Sequence, residues 1–451
     1  MFGTIRRFVY LLQLENYDLG RFWRVVTKKP FSRQKARQNI IWTPKLAAVF
    51  ILALLLQILF SYLILLPLVR SDIYLGVFPL AFVFLFLLLT FFHFVFLIIA
   101  VLLVKPLDYA VKSYLVNKAK IKIRQLTHDR GLVVIGITGS YGKTTMKEAL
   151  ATILGEKFSV LKTPASVNTP IGISRLILKQ LEPPVEVFIV EMGAYHIGDI
   201  KALCEIARPD IAVLTGINEA HLERFGSIEN TIKAKFEIVG NAKKDALIVL
   251  NNDDDLIHEH YKYFIGSRGI QFYKATERLL EYPAVPVLGE YIWAVINACV
   301  IIARGLGMTD QEILAGILKI QPVPHRLQKI ENPNGITVID DSYNGNPDGV
   351  REAIKVLSRF DGRRKIYITP GLVEAGEKAK KLHNDIGTQL DAVADLVILI
   401  KNSVTPFIAE ELDQHKVIWF DDALEAHAAL PNILQKGDVV LFQNDWPDNY
   451  F

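Results

Sequence analysis

Two hydrophobic rhythms succeed each other along the chain. Residues 46–69 form an almost unbroken apolar run, interrupted by Gln57, Ser61 and Tyr62, and residues 77–104 form a second, which carries Thr90 and His93. Each run exceeds the roughly 20 residues that a helix rising about 1.5 Å per residue needs to cross about 30 Å of hydrocarbon. The pattern therefore predicts a two-helix transmembrane hairpin with spans at about 46–69 and 77–104. A cleaved leader fits poorly, since the first run starts late and a second span follows it. From about residue 131 the rhythm changes to short β-rich runs at 133–137, 187–190, 211–214, 247–250, 337–339, 365–368, 396–400, 417–420 and 439–442, separated by helical patterns. That alternation predicts an α/β fold of parallel sheets covered by helices. Pro322-Val323-Pro324-His325-Arg326 follows a helical pattern at 310–318 and breaks both periods, which places a domain boundary at about 320–325. Three parts result: 1–130, 131–321 and 322–451.

Composition supports the membrane reading, because 51% of the residues are hydrophobic, high for a wholly soluble enzyme. Lys and Arg crowd the flank before the first span, from Arg6 and Arg7 to Lys45, and the flank after the second, from Lys105 to Arg130. The connecting hairpin of about six residues offers only Arg70, beside Asp72. This bias predicts a protein of the cytoplasmic membrane with both ends, and the domains that follow, cytoplasmic. Phe2, Phe8, Tyr10, Phe22 and Trp23 interleave the basic first 45 residues, a composition suited to an interface with anionic lipid. The formal net charge is only +4 and its excess lies beside the spans, so nucleic acid is not an expected partner. Cys204 and Cys299 are too few for a disulfide framework and lack zinc-type spacing.

The densest chemical signal is Gly136-Ile137-Thr138-Gly139-Ser140-Tyr141-Gly142-Lys143-Thr144-Thr145, between an apolar strand and a helical segment. Small residues let backbone N–H groups approach phosphates, a helix N-terminus favours their charge, Lys143 neutralises β/γ oxygens, and the Thr144 hydroxyl suits Mg²⁺. The longer G-x-x-x-x-G-K-[ST] loop would need Gly at 137, where Ile stands; the shorter T-G-x-x-G-K-T loop of ATP-dependent amide ligases matches better.

Further short motifs follow in order: Val190-Glu191-Met192-Gly193-Ala194, Glu219-Ala220-His221-Leu222, Ile232 to Ile238 around Lys235, Pro324-His325-Arg326, and Ile339-Asp340-Asp341-Ser342-Tyr343-Asn344-Gly345-Asn346-Pro347. With the cradle they make the chain resemble the Mur ligases over about 131–440, most closely the branch that adds D-alanyl-D-alanine to UDP-N-acetylmuramoyl-tripeptide. The resemblance implies a central P-loop-type ATPase domain, a C-terminal Rossmann-like α/β domain, and ATP with Mg²⁺ as cofactors. It also implies an acyl phosphate made from a substrate carboxylate and captured by an amine. In that reading Thr138, Gly139, Ser140, Gly142, Lys143, Thr144 and Thr145 cradle the nucleotide. Glu191, His221, Thr144 and a carbamylated Lys235 serve the metal. Asn297, Arg326 and Asp341 contact the nucleotide, with Arg326 also serving the transferring phosphoryl group. Asn168, Thr169, His325, Tyr343, Asn344 and Asn346 face the substrates. Two alternatives stay open on the residues themselves: Lys233, two positions from Lys235, is a competing register, and Asn168 and Thr169 are equally good turn formers. Chemistry divided between two domains implies closure about the segment near 320.

Three departures from the family are visible. Residues 1–130 hold an apolar hairpin where the family has a soluble UDP-sugar domain. The His-Asn pair ahead of Asn297 is missing from Tyr291-Ile292-Trp293-Ala294-Val295-Ile296-Asn297, where Trp293 offers a ring for stacking on the base. Gln443-Asn444-Asp445-Trp446-Pro447 replaces the branch's Lys-Gly-Ser-Arg stretch, and Thr369-Pro370-Gly371-Leu372-Val373-Glu374 replaces its Gly-Asp-Met-Leu-Glu. The first reading is thus a membrane-anchored amide ligase of cell-wall precursor synthesis, with other enzymes of that synthesis as neighbours. The alternatives are a ligase for another carboxylate and amine, a fused transport ATPase, and an inactive scaffold.

Overall fold

The computed structural model describes residues 2–15, 17–28, 40–69, 78–343, 345–372 and 376–444. It divides into two compact units, one ending at Tyr114 and one beginning at Leu115.

In the first unit, helices Phe2–Leu14 and Leu19–Lys28 precede the long helix Pro44–Val69. The second apolar run begins with helix Phe78–Leu89, passes through one tight turn at Thr90–Phe92, and continues as helix His93–Arg130. Among the described residues two helices are therefore long and apolar enough to cross a membrane by length and composition. The second does not stop where the apolar run stops at 104, because the charged residues beyond it are good helix formers and Pro106 lies inside the helix without ending it. The polar interruptions turn inward except for Tyr62, which is exposed. Gln57, Ser61, Thr90 and His93 are buried; Gln57 Oε1 lies 2.7 Å from His93 Nδ1, and Gln57 Nε2 donates to the Phe86 carbonyl at 2.9 Å. Arg70 and Asp72 of the connecting turn, and Lys29, Arg33, Lys35 and Arg37 of the basic flank, lie outside the described residues.

The second unit holds two sheets. The first contains β1 (Val133–Thr138), β2 (Val160–Lys162), β3 (Val187–Glu191), β4 (Ile211–Leu214), β5 (Leu247–Asn251) and β6 (Ile270–Tyr273), all parallel in the order 2-3-1-4-5-6. Both faces are covered, so the strands read as continuous apolar runs. Ile135, Ile137, Ile189 and Val213 pack with Met146 and Leu150 of helix Lys143–Leu154 and with helix Tyr291–Gly305. Val134, Phe188, Val190 and Ala212 face helices Asp199–Ala207 and Ile228–Asn241. The second sheet contains β7 (Gln328–Glu331), β8 (Thr337–Asp341), β9 (Lys365–Thr369), β10 (Leu396–Ile400), β11 (Val417–Phe420) and β12 (Val439–Gln443), in the order 11-10-9-12-8-7. Only β7 runs antiparallel to its neighbour, β8. The nine expected strands are present, each within one or two residues of its expected ends. β2, β6 and β7 were not expected: all three are edge strands, short and partly polar, so they lack the apolar run that marks a strand buried on both faces.

Candidate active site

In the first sheet, strand order reverses around β1, whose neighbours are β3 and β4. Their carboxyl ends open a crevice at this switch point. The glycine-rich loop leaves β1 there, Glu191 ends β3, and the loop after β4 leads to His221. Gly139 and Gly142 carry φ of +155° and +75°, values that favour glycine. Gly216, after β4, lies so close to the Tyr141 ring that a Cβ there would overlap it. Tyr141 Oη donates to Asp254 Oδ2 at 2.8 Å, and burial raises the tyrosine's pKa. The loop is thereby held against the neighbouring strand end. Lys143 Nζ donates to the Gly139 carbonyl at 2.7 Å, and burial lowers its pKa to about 8, opposed by the charge of Glu191.

On the β3 side, Thr144 Oγ1 donates to Glu191 Oε2 at 3.1 Å, and Glu191 N donates to Thr163 Oγ1 at 3.0 Å. Lys235 is 2% exposed on helix Ile228–Asn241, with its ammonium 5.5 Å from the Phe225 ring centroid. Burial drives its pKa well below the ordinary lysine value, reinforced by the charge of Lys143. Lys233 is exposed, so the helix itself separates the two registers. His221 adopts φ +60°, and its ring meets Tyr195 edge-on at 5.0 Å. No group of three or more His, Cys, Asp or Glu side chains placed to share a metal occurs among the described residues. Hydroxyl and carboxylate oxygens 3.1 Å apart beside a phosphate cradle nonetheless form a donor set of the hard-oxygen kind that Mg²⁺ takes.

The second sheet supplies the opposite wall. Arg326 donates to the Tyr343 carbonyl at 2.7 Å and lies over the Tyr343 ring at 4.7 Å. Asp341 Oδ1 accepts from Leu327 N at 3.2 Å; burial pushes its carboxyl up to about 7 from 3.8, with Arg326 opposing. His325 Nδ1 lies 2.7 Å from Asp340 Oδ2. Contacts tie the walls together. Asn218 Nδ2 donates to Asn346 Oδ1 at 2.9 Å and to Asp348 Oδ2 at 2.7 Å, Asn218 N donates to Ser140 Oγ at 3.2 Å, and Ser166 Oγ meets Tyr343 Oη at 2.6 Å.

Ser140, Gly142, Lys143, Thr144, Thr145, Asn168, Glu191, His221, Lys235, His325, Arg326, Asp341, Tyr343 and Asn346 all line one cavity of about 1040 Å³. Other expected residues lie outside its lining. Thr138 Oγ1 is buried and donates to the Met192 carbonyl, and Gly139 contributes its carbonyl to Lys143. Thr169 caps helix Pro170–Gln180 by accepting from Gly172 N. Asn297 faces a loop: Nδ2 donates to the Lys274 and Glu277 carbonyls, so its carboxamide braces backbone where base contact was expected. Trp293 packs on Tyr282 and beneath Arg278, while Tyr291, Ile292 and Val295 line the cavity. Gln443 and Asn444 brace β-strand ends, Asn444 Oδ1 accepting from Gly345 N at 2.9 Å. Asn344, Val373, Glu374 and residues 445–450 lie outside the described residues. Sequence reasoning missed Asn218, Tyr141, Asp348 and Lys147. Lys147 alone carried a signal, a lysine on the apolar stripe with Leu150 and Leu154.

Residues 137–277 match the Mur ligase middle domain, and residues 325–443 match the domain described as Mur ligase, glutamate ligase domain. The UDP-N-acetylmuramoyl-tripeptide–D-alanyl-D-alanine ligase of Bacillus subtilis is 28% identical over 365 residues, covering 75% of this chain and 79% of that protein. The MurF ligase of Thermotoga maritima, solved in complex with ADP, superposes with a TM-score of 0.64 at 30% identity, covering 74% of this chain and 80% of that one. MurF from Acinetobacter baumannii gives a TM-score of 0.66 at 26% identity, covering 74% and 77%. With both domains matched in order around a single cavity, the chain belongs to the Mur ligase family and is an ATP-dependent ligase.

Proposed function

We propose that the chain joins a peptidoglycan-precursor carboxylate to an amine, most like the addition of D-alanyl-D-alanine to UDP-N-acetylmuramoyl-tripeptide that its relatives are named for, and does so from a membrane anchor. The observation that carries this reading is the convergence of Lys143, Glu191, His221 and Lys235 from one sheet with Arg326, Asp341, Tyr343 and Asn346 from the other on one cavity.

ATP with Mg²⁺ supplies a transferable phosphoryl group and its charge neutralisation. Thr144 and Glu191 would hold the ion, and His221 and, once carbamylated, Lys235 would serve it as further ligands. Lys143 and the loop amides bind phosphate oxygens, and Arg326 meets the charge that spreads over the phosphoryl group in transfer. Carbamylation needs a neutral amine, which burial of Lys235 favours. Asn168, His325, Tyr343 and Asn346 orient the carboxylate and amine, whose approach depends on the second sheet closing over the first. The Lys and Arg that flank the two apolar runs, against a connecting turn with only Arg70, support an orientation with both termini and the ligase domains on the cytoplasmic side. A second reading keeps the chemistry and changes the acyl carrier to a lipid-linked one, favoured by the apolar hairpin ahead of the central domain.

The test is phosphate release from detergent-solubilised protein given ATP and paired carboxylates and amines, with mass spectrometry of the products. The expected result is amide product with UDP-N-acetylmuramoyl-tripeptide and D-alanyl-D-alanine; product only with a lipid-linked carboxylate selects the second reading, and ATP turnover with no amide product overturns both.

A further inference from the structure

Lys147 lies one turn beyond the cradle lysine on helix Lys143–Leu154 and is completely buried. Its ammonium is 3.1 Å from Glu191 Oε2 and 3.5 Å from Glu148 Oε1, with no aligned hydrogen bond to either. It does not line the cavity. Burying an ammonium is costly even when it is paired, and apolar residues of similar volume often serve stability better. Methionine would continue the stripe with Leu150 and Leu154, so packing does not explain a lysine here.

The contact it makes points to another role. Thr144, three residues earlier on the same helix, donates to the same oxygen, Glu191 Oε2, at 3.1 Å. The terminal torsion of a glutamate is broad and poorly fixed by rotamer preference alone. A hydroxyl donor and an ion-paired ammonium from one rigid helix, acting on one oxygen, fix the rotation of the carboxylate, while Thr163 Oγ1 fixes its backbone. We propose that Lys147 is a positioning residue for the ligase reaction: with Thr144 it clamps Glu191 Oε2 and so presents Oε1 to the divalent cation that accompanies ATP. The inference rests on the reading of Glu191 as a metal ligand given above. An ammonium near a dication also repels it, so the proposal has a definite sign: orientation outweighs repulsion, as for the outer partners of ligating carboxylates, whose loss weakens metal binding by about 10- to 100-fold.

The experiment measures binding of a fluorescent ADP analogue to the detergent-solubilised full chain as Mg²⁺ is titrated, for the parent and for Lys147→Met, Lys147→Gln and Glu191→Gln. Lys147→Met is expected to melt at or above the parent temperature and to bind Mg²⁺-free nucleotide like the parent. It should need about 10-fold more Mg²⁺, or more, for half of the metal-dependent gain in affinity. Lys147→Gln, which keeps a donor without the charge, should fall between the two and carries the test if the methionine variant does not fold. A Mg²⁺ requirement within about 2-fold of the parent, or a lower one, overturns the clamp. If the parent and Glu191→Gln respond alike to Mg²⁺, the metal-ligand reading of Glu191 fails, and the clamp falls with it.

Discussion

At the scale of single residues, the site depends on which side chains the fold hides. Lys233 and Lys235 are two positions apart on helix Ile228–Asn241, about 200° around its axis, so one is exposed and the other buried in the cavity wall. Lys235→Ala is expected to lower amide formation by about 100-fold or more, in line with loss of a charge-organising group. Lys233→Ala should stay within about 2-fold, both read by product mass spectrometry. Depleting bicarbonate should mimic part of the Lys235→Ala loss if the lysine is carbamylated. Asp341 contributes a pH dependence of its own. Its folded pKa of about 7 lies above the ordinary 3.8 because of burial, so its contribution to stability is complete below about pH 4 and is lost as pH rises through about 7. Asp341→Asn should therefore flatten the fall in denaturant midpoint between pH 4 and 7, a difference on the order of 2–4 kcal/mol at the upper end. An unchanged slope would assign that fall to other groups.

At the scale of elements, the cradle is a loop whose shape is set by its neighbours as much as by its own glycines. Gly216 gives the Tyr141 ring its place, and Tyr141 ties the loop to Asp254 at the start of helix Asp255–Ile265. Gly216→Ala should displace the ring and cost about 1–3 kcal/mol, as overpacking of a filled site does. Thermal unfolding and nucleotide affinity would both record it, and unchanged nucleotide affinity would show that Tyr141 does not hold the loop. The spacing Gly-x-x-Gly-Lys-Thr-Thr was readable because a phosphate cradle is built from adjacent residues. The same locality made the nine strands readable, since a strand buried on both faces is a continuous apolar run. β2, β6 and β7 were not, because these edge strands are short and partly polar and lack such a run.

At the scale of the whole ligase unit, residues from two sheets line one cavity. Asn218 is one of the links between them: its backbone N–H reaches Ser140 of the cradle and its side chain reaches Asn346 and Asp348 of the second sheet's domain. Asn218→Ala should cost about 1 kcal/mol and speed amide exchange at the start of helix Pro347–Ser358 by about 5-fold. Exchange rates equal to the parent's would show that the docking is held elsewhere. Asn297 makes the complementary point. The family resemblance implied a nucleotide contact for it, whereas its carboxamide N–H groups donate to the Lys274 and Glu277 carbonyls, partners that no spacing announces. What the sequence determined by itself was whatever is encoded by neighbours in the chain: the two long apolar helices, the alternation of strands and helices, the glycine-rich loop, and the ordered motifs that mark a Mur ligase. The tertiary structure alone decided which lysine is buried, which polar side chains brace backbone and which face the cavity, and how Asn218 and Lys147 connect its parts. Those choices are made by contacts between residues tens to more than a hundred positions apart, and hydrogen bonding over such separations leaves no periodicity to read.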